Sequence, residues 1–286
     1  MGGRGVSTHQ PRNNKKILER VFFCAWRRNI CDQHTHQPRK SIVELLKTEL
    51  STVSMILYNK YMRTTPISVG EYYHIFNRGN NKQPIFLDNR DWIRFLFLII
   101  YLQSPIVFQN LGRQVSYFVK NRAFNISGDD HRELIKKRYV KLISFVLMTN
   151  HFHLIVNEFK EGGIAQYMQR VLCAYTKYFN KKYRKSGHLF QGPYKAVHIK
   201  DNRQLLYLST YIHRNPRELS EWKNKEHLYP WSSYQDYIQD NRWGQLLEQD
   251  IIMEQFSNKK EYDDFTKSST AKELEKNLDE ESLIEC

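Results

Sequence analysis

The chain has 286 residues, a formal net charge of +14 and 41% hydrophobic residues, enough for a folded core. Only four cysteines occur in this length, so a disulfide framework is excluded and a reducing, cytoplasmic location is expected. The longest apolar run, Phe95–Leu102, is too short for a bilayer, which needs about 20 residues, and no signal-peptide pattern is present, so the membrane and secreted classes are excluded.

The charge is distributed unevenly along the chain. Residues 250–286 contain five lysines and eleven acidic residues, so the preceding part is more basic than the overall value of +14. A basic body with an acidic tail predicts a polyanionic partner, and nucleic acid is the first choice. The alternative is a basic protein that has no such partner.

The first 61 residues differ from the rest in composition. They hold eleven basic and four acidic residues with little apolar periodicity, and a well-patterned segment begins at Met62. Residues 1–61 are interpreted either as a poorly patterned basic extension before a natural start or as a basic DNA-binding arm. We predict a folded domain over 62–240, which would hold any functional site, and an acidic, helical or disordered tail over 241–286.

The first half of the domain contains one strand and one helix before a hairpin. Tyr72–Phe76 is an aromatic-rich strand that ends in a basic, turn-rich loop. Asp88 is placed to cap a helix whose apolar residues recur at helical spacing. A polar, basic insertion covers about 103–140. Leu142–Met148 and His151–Val156 then read as two strands joined by a tight turn.

The second half contains a helix, a strand and a further helix. A long amphipathic helix runs from Gly162–Gly163 to about Arg184, and Tyr194–Ile199 is a short strand. A final helix is capped by Asp201 and ends before Asn215-Pro216. This order predicts an α+β fold with a ferredoxin-like antiparallel sheet and packed helices.

His151-Phe152-His153 is the first motif that could carry chemistry. Side chains alternate across a strand, so the two histidines share one face while Phe152 points into the core. Two imidazoles on one face are potential metal ligands. The alternative is a pair of half-buried structural histidines.

Tyr211 and Asn215 form the second motif, because residues four apart share a helix face. A tyrosine hydroxyl is a poor nucleophile unless its target is strongly polarised, and a divalent metal on a phosphate oxygen supplies that polarisation. A tyrosine on a helix more often only packs. Tyr207, one turn earlier, is the rival nucleophile, but it has no polar partner equivalent to Asn215.

Four segments, in this order, resemble the HUH single-tyrosine transposases, above all the branch associated with repetitive extragenic palindromes. The segments are Tyr72–Asn81, Met148–Leu154, Ser186–Gly192 and Tyr211–Pro216. The resemblance covers roughly residues 66–240. It implies the HUH transposase fold and metal-dependent cleavage and rejoining of single-stranded DNA, often beside a hairpin, through a 5′-phosphotyrosine.

Carried over position by position, the resemblance makes Tyr211 the nucleophile and His151, His153 and Asn215 the ligands of one Mg²⁺ or Mn²⁺ ion. Pro193 departs from the family pattern, in which an arginine is common. The expected partner is hairpin-flanked single-stranded DNA, bound by a monomer or a homodimer. We therefore predict an endonuclease and strand transferase that acts in DNA transposition.

Basic and aromatic side chains interleave along the second half of the domain, as single-stranded DNA binding requires. The predicted DNA-binding residues are Arg78, Lys82, Lys177, Lys181, Lys182, Arg184, Tyr194 and Lys195. The alternative for the helical lysines is a solvated helix face. Two other functions stay open, a non-cleaving protein that binds DNA or RNA hairpins and a metal-dependent hydrolase.

Overall fold

Strand order defines the architecture of the computed structural model, which describes residues 66–269. The strands are β1 (Tyr72–Arg78), β2 (Val140–Met148), β3 (His151–Glu158) and β4 (Lys195–His198). They form one antiparallel sheet in the order β2-β3-β1-β4. This is the ferredoxin-like order, so the predicted fold class is confirmed. The predicted features of residues 1–61 and of the tail beyond 269 lie outside the described residues.

The helices occupy the intervals that the sequence pattern predicts, with additional helices in the insertion and near the C-terminal end. They are α1 (Asn89–Tyr101), α2 (Leu111–Asn121), α3 (Gly128–Lys137), α4 (Gly163–Tyr183), α5 (Asn202–Arg214), α6 (Tyr234–Ile238), α7 (Asp250–Met253) and α8 (Lys259–Ser268). Asp88 caps α1 in a reciprocal capping box, and Asp201 caps α5. Both cap predictions are confirmed.

The two faces of the sheet carry different layers. Helices α1 and α4 cover one face, where Phe95 packs against Phe152 and Tyr175 with ring centroids 5.2 and 4.9 Å apart. Helix α5 packs against β2 and β3. Because side chains alternate along β3, the inward direction of Phe152 leaves its neighbouring histidines on the face opposite to α1 and α4.

The β2–β3 turn is tied to the loop that follows β1. The Gly79 N–H donates to Asn150 O at 2.8 Å, and the Ile85 N–H donates to Thr149 O at 2.9 Å. A Cβ on Gly79 would lie 2.2 Å from Gln83 O, so this close approach requires glycine. The basic loop after β1 is therefore fixed beside the start of β3.

The insertion predicted over 103–140 contains α2 and α3. Its anchor is Phe124, whose ring contacts Phe97 of α1 at 5.0 Å and Phe118 of α2 at 4.5 Å. Although this segment is mostly polar, the aromatic contacts of Phe124 attach it to the main core.

Part of the segment predicted as an acidic tail, up to residue 269, packs against α5. Tyr262 of α8 is fully buried, and its hydroxyl lies 2.6 Å from Nδ1 of His213. Nε2 of His213 is 2.8 Å from Ser233 Oγ. The acidic composition of 241–269 thus gives no sign of the aromatic side chain that packs against α5.

We expect the stability of the protein to fall in acid because of His213. Burial lowers the pKa of His213 to about 3. Between about pH 6.5 and 3 the unfolded chain binds a proton that the folded chain does not, so the free energy of unfolding decreases by about 1.4 kcal/mol per pH unit for this group. Urea denaturation of His213→Gln should show a slope shallower by that amount between about pH 6 and 4.

The matched control is His188→Gln, because His188 is exposed. It should keep the slope of the wild-type protein. An unchanged slope in His213→Gln would show that another group takes up the proton.

Candidate active site

His151 and His153 lie at the start of β3, immediately after the turn. His151 is half-buried and His153 is 9% exposed, and their ring centroids are 5.2 Å apart at an angle of 86°. The alternation of β3 thus places two imidazoles side by side, as the sequence predicts for one strand face. The distance between the two rings would allow both histidines to coordinate one metal ion.

Each of these imidazoles has a hydrogen-bond partner at Nδ1. Nδ1 of His151 lies 2.7 Å from Asn150 Oδ1, and Nδ1 of His153 lies 2.9 Å from Nε2 of His74. His74 is 5% exposed, and burial lowers its pKa to about 3, so its ring is neutral at physiological pH.

The sequence analysis assigned no site role to His74. In the register of β1 with β3, His74 lies opposite Ile155, two positions along β3 from His153, and its side chain reaches that ring. In the sequence, the only indication was that His74 and Phe76 alternate along β1 and so share one face of the sheet. That face can be recognised as the face of His153 only when the strand register is known.

Tyr211 lies on α5 with its ring edge directed at the histidines. Its ring centroid is 5.5 Å from that of His153 and 6.3 Å from that of His74, at angles of 87° and 76°. Tyr211 is half-buried. In the rival Tyr207, the hydroxyl is buried and has no hydrogen-bond partner. The structure therefore brings Tyr211 to the histidine pair.

Asn215 follows at the end of α5 and is 1% exposed. Neither Oδ1 nor Nδ2 of its amide has a hydrogen-bond partner. A buried polar group without a partner costs about 1–3 kcal/mol, and such groups call for a specific explanation. An amide oxygen is a suitable ligand for a hard cation, which would provide that explanation.

The donor set fits the Mg²⁺ or Mn²⁺ ion that the family resemblance implies. Two imidazoles and one amide oxygen would supply part of its coordination, and water or phosphate oxygens would supply the rest. Within residues 66–269, no group of three His, Cys, Asp or Glu side chains is arranged to hold a metal ion. A cation at the histidine pair would therefore draw on ligands of another kind, such as the amide oxygen of Asn215.

Three of the predicted DNA-binding residues lie close to the histidines. Arg78 pairs with His151 across the sheet, and Lys195 pairs with Phe76. The Lys195 ammonium is 5.9 Å from the Phe76 ring, which is itself 5.7 Å from the His153 ring. Tyr194 is half-buried and directly precedes β4. This edge of the site combines cations with rings.

The remaining predicted residues lie farther along α4 and in the loop after β1. Lys177, Lys181 and Arg184 are exposed, as is Lys82 in the loop. A cavity of about 420 Å³ separates the two segments. Its polar and basic lining includes Asn80, Asn81, Asn180, Arg184, Lys185 and His188.

Lys182 has a different environment from its neighbours on α4. Its ammonium lies 2.6 Å from Asp88 and 2.7 Å from Asp91. Burial acts to lower the pKa of Lys182, but these bonds together with those to Tyr183 and Tyr178 outweigh it, so the pKa is raised. Asp91 is fully buried and also accepts hydrogen bonds from the hydroxyls of Tyr178 and Tyr183. The ammonium of Lys182 is thus engaged in the contact between α1 and α4.

This geometry defines an α+β domain with a histidine pair, a tyrosine and a buried amide on one side of its sheet. Residues 118–215 match the model of the family described as "Transposase IS200 like". The match contains His151, His153, Tyr211 and Asn215. Over this range the chain is similar to IS200-like transposases, and its resemblance to the HUH single-tyrosine transposases is confirmed.

The solved structure of a REP-associated tyrosine transposase bound to a REP hairpin is also similar. It is 14% identical, with a TM-score of 0.41, and the match covers 68% of this chain and 94% of that chain. No curated protein matches the chain significantly. Among residues 66–269, no helix has the length and apolar character needed to cross a membrane.

We expect Lys182 to contribute to stability. Lys182→Met leaves the fully buried Asp91 without its cation, although two tyrosines still donate to it, so the free energy of unfolding should fall by about 2 kcal/mol. Lys181→Met, one position away on the exposed surface, should change it by less than about 0.5 kcal/mol. Urea denaturation measures both, and equal effects would contradict the assignment.

Proposed function

We propose that the protein is a metal-dependent single-stranded DNA endonuclease and strand transferase that acts in transposition. One observation carries the proposal. The Tyr211 ring packs edge-on against His153, beside His151, while Asn215 one turn later is buried with an unpartnered amide. A tyrosine beside two imidazoles and an amide oxygen that could hold a divalent cation is suited to phosphoryl transfer, because such a cation polarises the phosphate that the tyrosine attacks.

The cation, held by His151, His153 and Asn215, would polarise the scissile phosphate when it is bound. The Tyr211 hydroxyl gives up its proton to solvent and its oxygen attacks phosphorus. The bond from phosphorus to the 3′ oxygen breaks, and that oxygen takes up a proton to become a 3′-hydroxyl. The DNA then has a 5′-phosphotyrosyl link to the protein.

Rejoining follows as the reverse reaction. A 3′-hydroxyl gives up its proton to solvent, attacks the phosphotyrosine and forms the new phosphodiester. The electron pair of the broken bond returns to the Tyr211 oxygen, which takes up a proton from solvent. Because one phosphoester replaces another in each step, no nucleotide cofactor is needed. The half-buried position of Tyr211 suits this role, since its ring is held against His153 and His74 while its side chain stays partly accessible.

The DNA strand is proposed to run from the site along the basic edge of the sheet. Next to the histidine pair, Arg78, Tyr194 and Lys195 would contact it, with Phe76 as an additional stacking ring. Farther away, the strand would reach Lys82, Lys177, Lys181 and Arg184 beside the basic cavity. Lys182 is left out of this path because its ammonium binds two carboxylates.

The decisive test is covalent capture of DNA by Tyr211. Single-stranded oligonucleotides from the flanks of the gene that contain a hairpin are incubated with the protein and Mn²⁺, and adducts are resolved on a denaturing gel. Tyr211→Phe removes one oxygen and keeps the ring, so it should abolish the adduct while DNA affinity is retained. His151→Ala combined with His153→Ala should also abolish it, because two metal ligands are removed.

Tyr207→Phe is the matched control for this experiment, since it lies one turn earlier on α5. It should retain the adduct. An adduct that persists in Tyr211→Phe and disappears in Tyr207→Phe would transfer the role of nucleophile to Tyr207. If the wild-type protein binds these oligonucleotides and forms no adduct, the protein is a non-cleaving hairpin-binding protein.

Binding of single-stranded DNA should depend strongly on salt, with α4 contributing to it. Replacing Lys181 and Arg184 by Ala should flatten the dependence of the logarithm of affinity on the logarithm of salt concentration by about 0.7 for each phosphate that is no longer neutralised. Fluorescence anisotropy of a labelled oligonucleotide measures this slope. Lys120→Ala, an exposed change on α2, should leave it unaltered; equal slopes in all variants would place the DNA elsewhere.

A further inference from the structure

Asn150 is held in one orientation by two hydrogen bonds of opposite kind. Its Nδ2 donates to the carbonyl oxygen of Lys82 at 3.0 Å, and its Oδ1 lies 2.7 Å from Nδ1 of His151. A carbonyl oxygen can only accept, so the amide nitrogen must face Lys82 and the amide oxygen must face His151.

This orientation fixes the tautomer of His151. The amide oxygen of Asn150 can also only accept a hydrogen bond. Nδ1 of His151 must therefore carry a proton, and this N–H donates to the Asn150 oxygen. In a neutral imidazole with its proton on Nδ1, the lone pair available for a cation is on Nε2. Asn150 therefore selects the form of His151 that can bind a metal through Nε2.

His74 occupies the equivalent position at His153. Its Nε2 is 2.9 Å from Nδ1 of His153, and one of these two nitrogens must donate while the other accepts. If His74 donated, His153 would carry its own proton on Nε2 and could not ligate through that atom. A cation on Nε2 of His153 requires His74 to be the acceptor.

The ring of His74 is itself confined. It is 5% exposed, its centroid is 4.7 Å from that of Phe76, and the edge of Tyr211 closes a further side. His74 thus presents Nε2 to His153 from a position that leaves little rotational freedom. The same ring contacts both a metal-ligand candidate and the nucleophile candidate.

We propose that Asn150 and His74 are positioning residues, each of which accepts a hydrogen bond from the Nδ1–H of one histidine, so that Nε2 of both histidines carries the lone pair that a single divalent cation would bind. The inference rests on the proposed function for the identity of the cation site. Outer hydrogen bonds of this kind orient metal-binding histidines and typically change metal affinity about 10- to 100-fold when removed.

The test reads the tautomers in the absence of metal. Protein labelled with ¹⁵N-histidine is freed of metal and studied by long-range ¹H–¹⁵N NMR at a pH at which both rings are neutral. The wild-type protein should have the proton on Nδ1 of both His151 and His153. Asn150→Ala should shift only His151 toward the Nε2–H tautomer, and His74→Leu should shift only His153.

Two further variants serve as rescue and control. His74→Gln supplies a side-chain oxygen that can accept from His153, so it should retain more of the Nδ1–H tautomer than His74→Leu. His198→Gln changes a histidine on the neighbouring strand β4 that is paired with Glu71, and it should alter neither tautomer. Circular dichroism establishes that each variant is folded.

Isothermal titration with MnCl₂ gives a second readout. Asn150→Ala and His74→Leu should each weaken Mn²⁺ binding about 10-fold or more, with His74→Gln intermediate and His198→Gln unchanged. Nε2–H tautomers in the wild-type protein, or tautomers that do not respond to either variant, would overturn the proposal.

The NMR result is independent of DNA cleavage, so the two proposals can fail separately. The expected tautomers without any covalent adduct would reject the proposed catalytic function and retain the positioning role. An adduct formed by Tyr211 with unresponsive tautomers would do the opposite.

Discussion

The antiparallel register of β1 with β3 is the constraint on which the candidate site depends. It places Phe76 opposite His153 and Arg78 opposite His151, and from the same strand His74 reaches His153 through a hydrogen bond of 2.9 Å. A shift of one residue would turn His74 and Phe76 to the other face. The fixed loop at Gly79, which binds the β2–β3 turn, supports this register at its end.

Helix α5 completes the site because its far side is anchored. His213 has both ring nitrogens engaged, by Tyr262 at 2.6 Å and Ser233 at 2.8 Å, and its ring stacks on Tyr234. Ser233 in turn accepts from the Phe145 N–H of β2. Tyr211 lies two residues before His213 on α5, and Asn215 caps the end of this helix two residues after it, so contacts with the segment beyond residue 215 help to hold both beside the sheet.

Local sequence patterns were sufficient where the responsible contacts are also local. The caps Asp88 and Asp201 and the two-residue turn Thr149–Asn150 depend on neighbours within a few positions, and all three are observed as predicted. By contrast, Lys182 lies in the same basic, polar stretch of sequence as Lys181, yet its ammonium binds the buried carboxylate of Asp91, which is 91 residues away in the chain. The composition of 241–269 likewise gave no indication that Tyr262 is buried.

By itself, the sequence determined the strand and helix order, the shared face of His151 and His153, and the helical spacing of Tyr211 and Asn215, because each follows from backbone periodicity. Only the tertiary structure decided that His74 meets His153, that Lys182 faces inward and that the Asn215 amide is buried without a partner. These features join residues that are distant in the chain. Strand register and helix packing set such contacts, and neither is encoded in the periodicity of a single segment.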